Sequence, residues 1–144
     1  MDNKIKHLEF IQNVITRMNS NSFIIKGWTI TIFSALLAFF VKCAEIKYLF
    51  VIFFPIFMFW WLDSFYLSQE RKYRKLYDEI CARNEQQIDF SMDASKFNDC
   101  FCSIKCASRS KTLEVFYGAQ LFVLLMLIAA NFLFTKVPLL CQNK

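Results

Sequence analysis

The chain has 144 residues, 56% of them hydrophobic and 20% charged, and its formal net charge is +5. The apolar residues are concentrated in a few runs almost free of charge, which is typical of a membrane protein rather than of a soluble domain. The whole chain contains two Gly and two Pro, which argues against a fold rich in β-turns.

The first predicted element is a cytoplasmic amphipathic helix over residues 1–22. Leu8, Ile11, Ile15 and Met18 recur at spacings of three and four residues, which places them on one helical face. Charged residues lie among these apolar ones, and no small-residue cleavage site follows. We therefore expect that this segment is not a secretory signal peptide.

The next element is a transmembrane hairpin over residues 23–67. Its first run, 23–41, is interrupted by Lys26, and its second run, 48–67, contains Asp63 near its end. Each run is close to the ~20 residues that a helix needs to cross ~30 Å of hydrocarbon. Buried helices of a soluble protein are the alternative, but a chain this short has no polar shell large enough to wrap them.

The short loop over residues 42–47 sets the register of this hairpin. Residues whose numbers add up to 89 then lie at similar depth, so that Lys26 faces Asp63 and Trp28 faces Trp61. A structural ion pair between Lys26 and Asp63 would neutralise two charges that are costly inside a membrane. The alternative is that each side chain reaches the headgroups separately.

Residues 68–112 are predicted to be a cytoplasmic helical region. An apolar stripe leads into it from the second span: Tyr66, Tyr73, Leu76, Tyr77 and Ile80. We expect this helix and the N-terminal one to continue the first two spans and to pack on each other, the alternative being that they lie flat on the membrane. The run Asp89-Phe90-Ser91-Met92-Asp93 indicates a turn and the capped start of a new helix.

Residues 113–136 are the third predicted transmembrane helix, and the run 115–134 holds no charge. Gln120 and Asn131 lie close to three helical turns apart, so they share a face with Leu124 and Leu127. One interpretation is side-chain hydrogen bonding between helices. The other is a pore lined by this face from each subunit of an oligomer, with the leucines as a hydrophobic gate.

Lysine and arginine residues indicate the orientation. Residues 1–26 hold four of them and residues 68–112 hold nine, whereas the opposite side holds four. The positive-inside rule therefore predicts a cytoplasmic N-terminus and a cytoplasmic 68–112 region. Residues 137–144 are then an external tail.

Catalytic and metal chemistry have little support in the sequence. With one His and no Gly-rich phosphate loop, we predict that the protein is not an enzyme and uses no cofactor. Ser20 and Ser22 are interpreted as helix-surface residues.

Cys100, Cys102 and Cys106 could bind zinc or copper(I), but three crowded thiols fit a structural zinc site poorly. Small apolar positions on a helix are the favoured interpretation, and no metal site is predicted.

A basic stretch over residues 71–75 follows the second span. One interpretation is a topology signal that contacts anionic lipid. The other is a site for a nucleotide or oligonucleotide, contacted by Arg71, Arg74 and Lys75, with Tyr77 available for stacking. The residues alone leave both interpretations open.

Several short motifs, spread over most of the chain, resemble a family of small bacterial membrane proteins with three spans. They are His7-Leu8-Glu9-Phe10-Ile11-Gln12, Arg17-Met18, Asn21-Ser22-Phe23, Lys26-Gly27-Trp28, Phe59-Trp60, Leu62-Asp63, Tyr66-Leu67, Gln69-Glu70-Arg71, Arg74-Lys75-Leu76-Tyr77, Asp89-Phe90-Ser91-Met92, Ser110-Lys111-Thr112 and Phe116-Tyr117. That family is similar to the membrane effectors of nucleotidyltransferase-linked antiphage defence, of the Hailong type. The cysteine cluster and the C-terminal tail lie outside the pattern.

The resemblance implies an oligomeric ion channel in the bacterial inner membrane, with a tetramer as the expected homo-oligomer. A nucleotide or single-stranded DNA oligomer from a partner nucleotidyltransferase would hold it inactive. The resemblance therefore favours a pore lined by Gln120, Leu124, Leu127 and Asn131. It also makes ligand binding and lipid binding equally favoured interpretations of the basic stretch. The alternative function is a non-catalytic membrane anchor or assembly subunit for a partner protein.

Overall fold

The computed structural model describes residues 2–43, 47–84 and 88–136. Its helices are α1 (Asp2–Cys43), α2 (Lys47–Ala82), a 3-10 turn (Cys100–Cys102), α3 (Ile104–Ser108) and α4 (Lys111–Lys136). No strand occurs in these residues, so the prediction of an all-α fold is confirmed for them. The centre of the hairpin loop and the predicted external tail, 137–144, lie outside the described residues.

Helices α1, α2 and α4 are each long and apolar enough to cross a membrane. Within their most apolar stretches only 11%, 28% and 22% of the residues, respectively, are buried inside the chain. Large apolar side chains therefore face outward, among them Phe23 (78% exposed), Phe54 (72%) and Val115 (72%). A continuous apolar surface of this kind needs an apolar surrounding or further protein to cover it.

Helices α1 and α2 form an antiparallel hairpin much longer than a bilayer is thick. Their 42 and 36 residues extend about 63 Å and about 54 Å at 1.5 Å per residue. Neither helix is interrupted where its apolar sequence gives way to polar sequence. The pairing continues to the polar end, where Lys4 Nζ donates to Cys81 O at 3.2 Å and to Arg83 O at 2.7 Å. This lysine stabilises the carboxyl end of α2, whose last carbonyls have no partner within the helix.

Two separate apolar cores lie along the bundle. The buried members of the first core come from α1, α2 and α4: Phe40, Leu49, Ile52, Ile56, Leu113, Tyr117 and Leu124. The second core joins the polar ends of α1 and α2 to the segment that follows α2: Ile11, Ile15, Leu76, Ile80 and Ala94. The two amphipathic stripes of the sequence therefore pack on each other in the structure.

The segment 88–99 differs from the prediction, because no helix begins after Asp93. Asp89, Ser91 and Asp93 instead accept hydrogen bonds from the backbone N–H two residues further on, at 3.2, 3.2 and 2.8 Å. These side-chain turns compete with helix formation by satisfying the same backbone donors. The predicted helical region 68–112 is thus helical only up to Ala82 and again from Cys100.

Truncation of the second core should separate the polar ends of α1 and α2. Ile11 is fully buried, and an Ile→Ala change at such a site costs about 2–5 kcal/mol. We therefore expect Ile11→Ala to increase hydrogen–deuterium exchange of the backbone amides in the last two turns of α2. Phe10→Ala is the matched control, because the Phe10 ring is 63% exposed. Equal exchange in the two variants would show that the second core does not hold these ends together.

Candidate functional site

A group of polar side chains is buried where the first core borders the polar parts of α1 and α2. Its centre is Asp63 on α2, which is fully buried. Lys26 on α1 brings Nζ within 2.6 Å of Asp63 Oδ2, and Ser22, one turn earlier on α1, donates to Asp63 Oδ1. Lys26 also donates to Ser22 Oγ at 2.7 Å. The carboxylate and the ammonium therefore compensate each other, as their removal from water requires.

Tyr117 connects α4 to the same carboxylate. Its hydroxyl lies 3.3 Å from Asp63 Oδ2 and 3.2 Å from Phe59 O, within hydrogen-bond distance of both acceptors. Its ring stacks on that of Trp60, with 6.1 Å between the centroids. Asp63 is thus held by side chains from α1 and α4 together. We call Ser22, Lys26, Asp63 and Tyr117 the polar cluster.

The sequence indicated only half of the polar cluster. The register of the hairpin places Lys26 opposite Asp63, and the structure pairs them. The interpretation of Ser22 as a surface residue is wrong, because Ser22 is only 8% exposed. Its spacing of four from Lys26 was the available signal, because such residues are neighbours on a helix. No sequence pattern indicated that Tyr117 belongs to the cluster, because its contact with Asp63 depends on how α4 packs.

Two cations of the basic stretch contact the segment before α3. Arg71 Nη1 donates to Phe101 O at 2.9 Å, and its guanidinium lies 4.4 Å from the centroid of the Phe101 ring. Lys75 forms an ion pair with Asp99, and this hydrogen bond raises the pKa of Lys75 above its ordinary value. These contacts hold residues 99–101 against α2.

The other two residues proposed for ligand binding are also engaged. Arg74 pairs with Glu70 one turn earlier, with 2.7 Å between Nη2 and Oε1. Tyr77 is half-buried and packs against the second core. A ligand at this face would therefore have to exchange with the carboxylates of Asp99 and Glu70, and Tyr77 could stack on it only after leaving the core.

The residues proposed to line a pore share a face of α4 that is turned into the protein. Leu124 is fully buried and Gln120 is 8% exposed, while Leu127 and Asn131 are partly buried. Within the described part of the chain, Gln120 Oε1 has no hydrogen-bond partner. A buried polar atom in this condition costs about 1–3 kcal/mol. The observed packing of α4 therefore contains an unfavourable contact.

A pocket of about 360 Å³ lies beside the N-terminal part of α1 and was not indicated by the sequence. It is lined by Asn3, Lys6, His7, Phe10, Phe90 and Met92. His7 is 4% exposed, and neither ring nitrogen has a partner among the residues that the structure describes. Phe90 has a φ of 53°, uncommon for a residue with a side chain, and its ring centroid lies 5.5 Å from that of His7. The pocket thus offers an imidazole and aromatic walls to a ligand.

The three clustered cysteines have different surroundings. Cys102 is buried, and its carbonyl oxygen accepts a hydrogen bond from Ser68 Oγ. Cys100 is exposed, and its Sγ lies 3.7 Å from Cys106 Sγ, a contact that raises the pKa of the Cys100 thiol. In residues 2–43, 47–84 and 88–136, no group of three or more His, Cys, Asp or Glu side chains is arranged to hold a metal ion.

Comparisons with protein-family models, with curated proteins and with solved structures found no match to this chain. The resemblance to antiphage effectors therefore stays a prediction from sequence motifs. A proposed function has to account for the polar cluster, the internally paired basic stretch and the inward-facing surface of α4.

Breaking the buried ion pair should destabilise the protein. Lys26→Met would leave the Asp63 carboxylate buried with hydroxyl partners alone, and removal of one partner from a buried pair costs about 3–5 kcal/mol. The exchanged pair, Lys26→Asp with Asp63→Lys, should recover part of the loss, because the hydroxyls of Ser22 and Tyr117 can accept hydrogen bonds as well as donate them. The midpoint of thermal unfolding in detergent measures both effects.

Asp78→Asn is the control for these variants, because it neutralises an exposed acid on the same helix. It should leave the unfolding midpoint within a degree or so of the original, as surface substitutions generally change stability by less than about 0.5 kcal/mol. An exchanged pair no more stable than the worse single variant would contradict the ion pair.

Proposed function

We propose that the chain is a multi-pass integral protein of the bacterial inner membrane, with α1, α2 and α4 as its spans. The distribution of Lys and Arg supports a cytoplasmic N-terminus, a cytoplasmic 68–112 region and an external C-terminus. Lipid would cover the outward-facing apolar side chains of the three helices. Trp28 and Trp61, which are 59% and 61% exposed, support a membrane–water interface close to the Lys26–Asp63 pair.

In this membrane the protein acts as an oligomeric pore that is opened when a nucleotide or oligonucleotide inhibitor is released. The role in antiphage defence rests on the resemblance of the sequence motifs. The continuity of α1 and α2 supports the mechanical part of the proposal. A ligand that moves their polar ends also moves the spans, because each helix is uninterrupted between the two regions.

The buried Gln120 amide is the observation that carries the pore proposal. In the observed packing, Leu124 seals the inward face of α4 and Gln120 Oε1 is left without a partner in the described structure. Rotation of α4 toward an axis shared with other copies would expose this amide and Asn131 to channel water. The packing observed in the single chain is then a closed one, and once other copies are present hydration of Gln120 favours opening.

Ligand control is proposed at the basic stretch. A phosphate that replaces Asp99 at Lys75 and the Phe101 carbonyl at Arg71 would release residues 99–101 from α2. The released segment leads through α3 into α4. Occupation of the basic stretch and the position of the proposed pore helix are therefore linked through the same contacts.

The alternative function is a non-catalytic anchor or assembly subunit for a partner protein. Two observations favour it. The polar residues of α4 face the interior of a single chain, and the outward apolar faces of α1 and α2 are open to helices of a partner. Membrane permeability separates this alternative from the pore.

Expression of the protein alone in a bacterium should depolarise the membrane and slow growth. Leu124→Ala should increase dye-reported depolarisation, because it shortens the hydrophobic seal, and Gln120→Leu should reduce it, because opening no longer hydrates an amide. Leu125→Ala is the matched control, since Leu125 is 57% exposed on the same helix. Normal growth with an intact potential, at verified membrane expression, would favour the anchor.

Replacement of Arg71, Arg74 and Lys75 by Ala should abolish inhibition by short single-stranded DNA in a dye-release assay on proteoliposomes. A control variant with Ala at Lys105, Arg109 and Lys111 removes the same charge from exposed positions and should keep the inhibition. If the first variant is still inhibited, the basic stretch is not the ligand site. His7→Ala then tests the pocket beside α1.

A further inference from the structure

Two cysteines that the proposed function does not use lie in contact. Cys100 begins the 3-10 turn Cys100–Cys102, and Cys106 lies in α3, five residues long, so that both occupy the link between α2 and α4. Their sulfur atoms are 3.7 Å apart. A disulfide needs a separation of about 2.05 Å, which places the two thiols within a small side-chain movement of a bond. Neither cysteine belongs to the polar cluster or to the first core.

We propose that Cys100 and Cys106 form a reversible intramolecular disulfide and that this link is a redox-modification site. The co-reactant is a small disulfide of the glutathione class. One cysteine thiolate attacks a sulfur of the small disulfide, expels one thiolate and forms a mixed disulfide. The second cysteine thiolate attacks the protein sulfur of that mixed disulfide and expels the other small thiolate. In total, the two cysteines lose two protons and two electrons, and the small disulfide is reduced to two thiols.

The surroundings of the four free cysteines whose burial the structure describes favour this pair over the alternatives. Cys102 is fully buried and is held by the hydrogen bond from Ser68 to its carbonyl oxygen, so a small disulfide cannot reach it without local opening. Cys81 is exposed but lies on α2, outside the link. Cys100 is open to solvent while Cys106 lies beside it. A small disulfide can therefore reach Cys100, and the neighbouring Cys106 is placed to displace the small thiol from the mixed disulfide.

The bond would stiffen the part of the chain that clamps α2. Three backbone carbonyls in residues 100–108 accept hydrogen bonds from α2 side chains. They are Phe101 O for Arg71, Cys102 O for Ser68 and Ser108 O for Trp60. Closing the ring between Cys100 and Cys106 limits the conformations of this segment. Oxidation should therefore hold residues 100–108 more firmly against α2, whatever the protein does in the membrane.

The test is titration of the full-length protein in detergent with reduced and oxidised glutathione, followed by intact mass and peptide mapping. The expected product is a monomer lighter by two hydrogen atoms, with Cys100 and Cys106 joined in one peptide and the bond reversed by excess reduced glutathione. In Cys106→Ser the reaction should stop at a glutathione adduct on Cys100. Cys81→Ser and Cys102→Ser should both still form the bond, which also guards against a folding defect in any single variant.

Three outcomes would overturn the proposal. They are a stable glutathione adduct on Cys100 or Cys106 of the unaltered protein, a bond that joins either of them to another cysteine, and no oxidation of the pair at potentials that oxidise Cys81. Hydrogen exchange tests the mechanical effect separately. Amides of residues 101–108 should exchange more slowly in the oxidised protein, and unchanged exchange would show that the bond does not stiffen the link.

Discussion

A single buried carboxylate fixes how the three long helices meet. Asp63 accepts from Ser22 and Lys26 of α1, and the Tyr117 hydroxyl of α4 lies within hydrogen-bond distance of it. Such a group in an apolar bundle is tolerated only while its charge and its lone pairs are matched. The rotation of each helix about its axis is therefore constrained in the observed packing, and the proposed rotation of α4 would have to break the contact of Tyr117 with Asp63.

The polar cluster also separates two regions that differ in chemistry. On one side, the first core packs the apolar parts of α1, α2 and α4. On the other side, the second core packs the polar continuations of α1 and α2 under residues 88–97. Both helices run without a break from the second core into the first. The proposed ligand control relies on this continuity.

Several basic residues of the 68–112 region form ion pairs inside the chain. Arg74 meets Glu70, Lys75 meets Asp99, and Lys96 and Arg83 both meet Glu79. A sequence shows that such cations exist but not which acids neutralise them, because Asp99 is 24 residues from Lys75 and reaches it only through the irregular segment. For that reason the basic stretch predicted from the sequence is, in the structure, a clamp on the 99–101 segment. The proposed ligand would have to displace these contacts.

The sequence by itself determined the three long apolar helices, the uninterrupted continuation of two of them and the register that sets Lys26 opposite Asp63. These follow from periodicity, from the lack of helix breakers and from the short loop of an antiparallel hairpin, all of which are local. The tertiary structure alone decided the contribution of Tyr117, the inward face of Gln120 and Leu124, and the turns at Asp89 and Asp93 in place of a helix. Helix α4 follows a long irregular link, so no local rule sets its rotation. The contacts of Asp63 and Phe59 with Tyr117 set it instead.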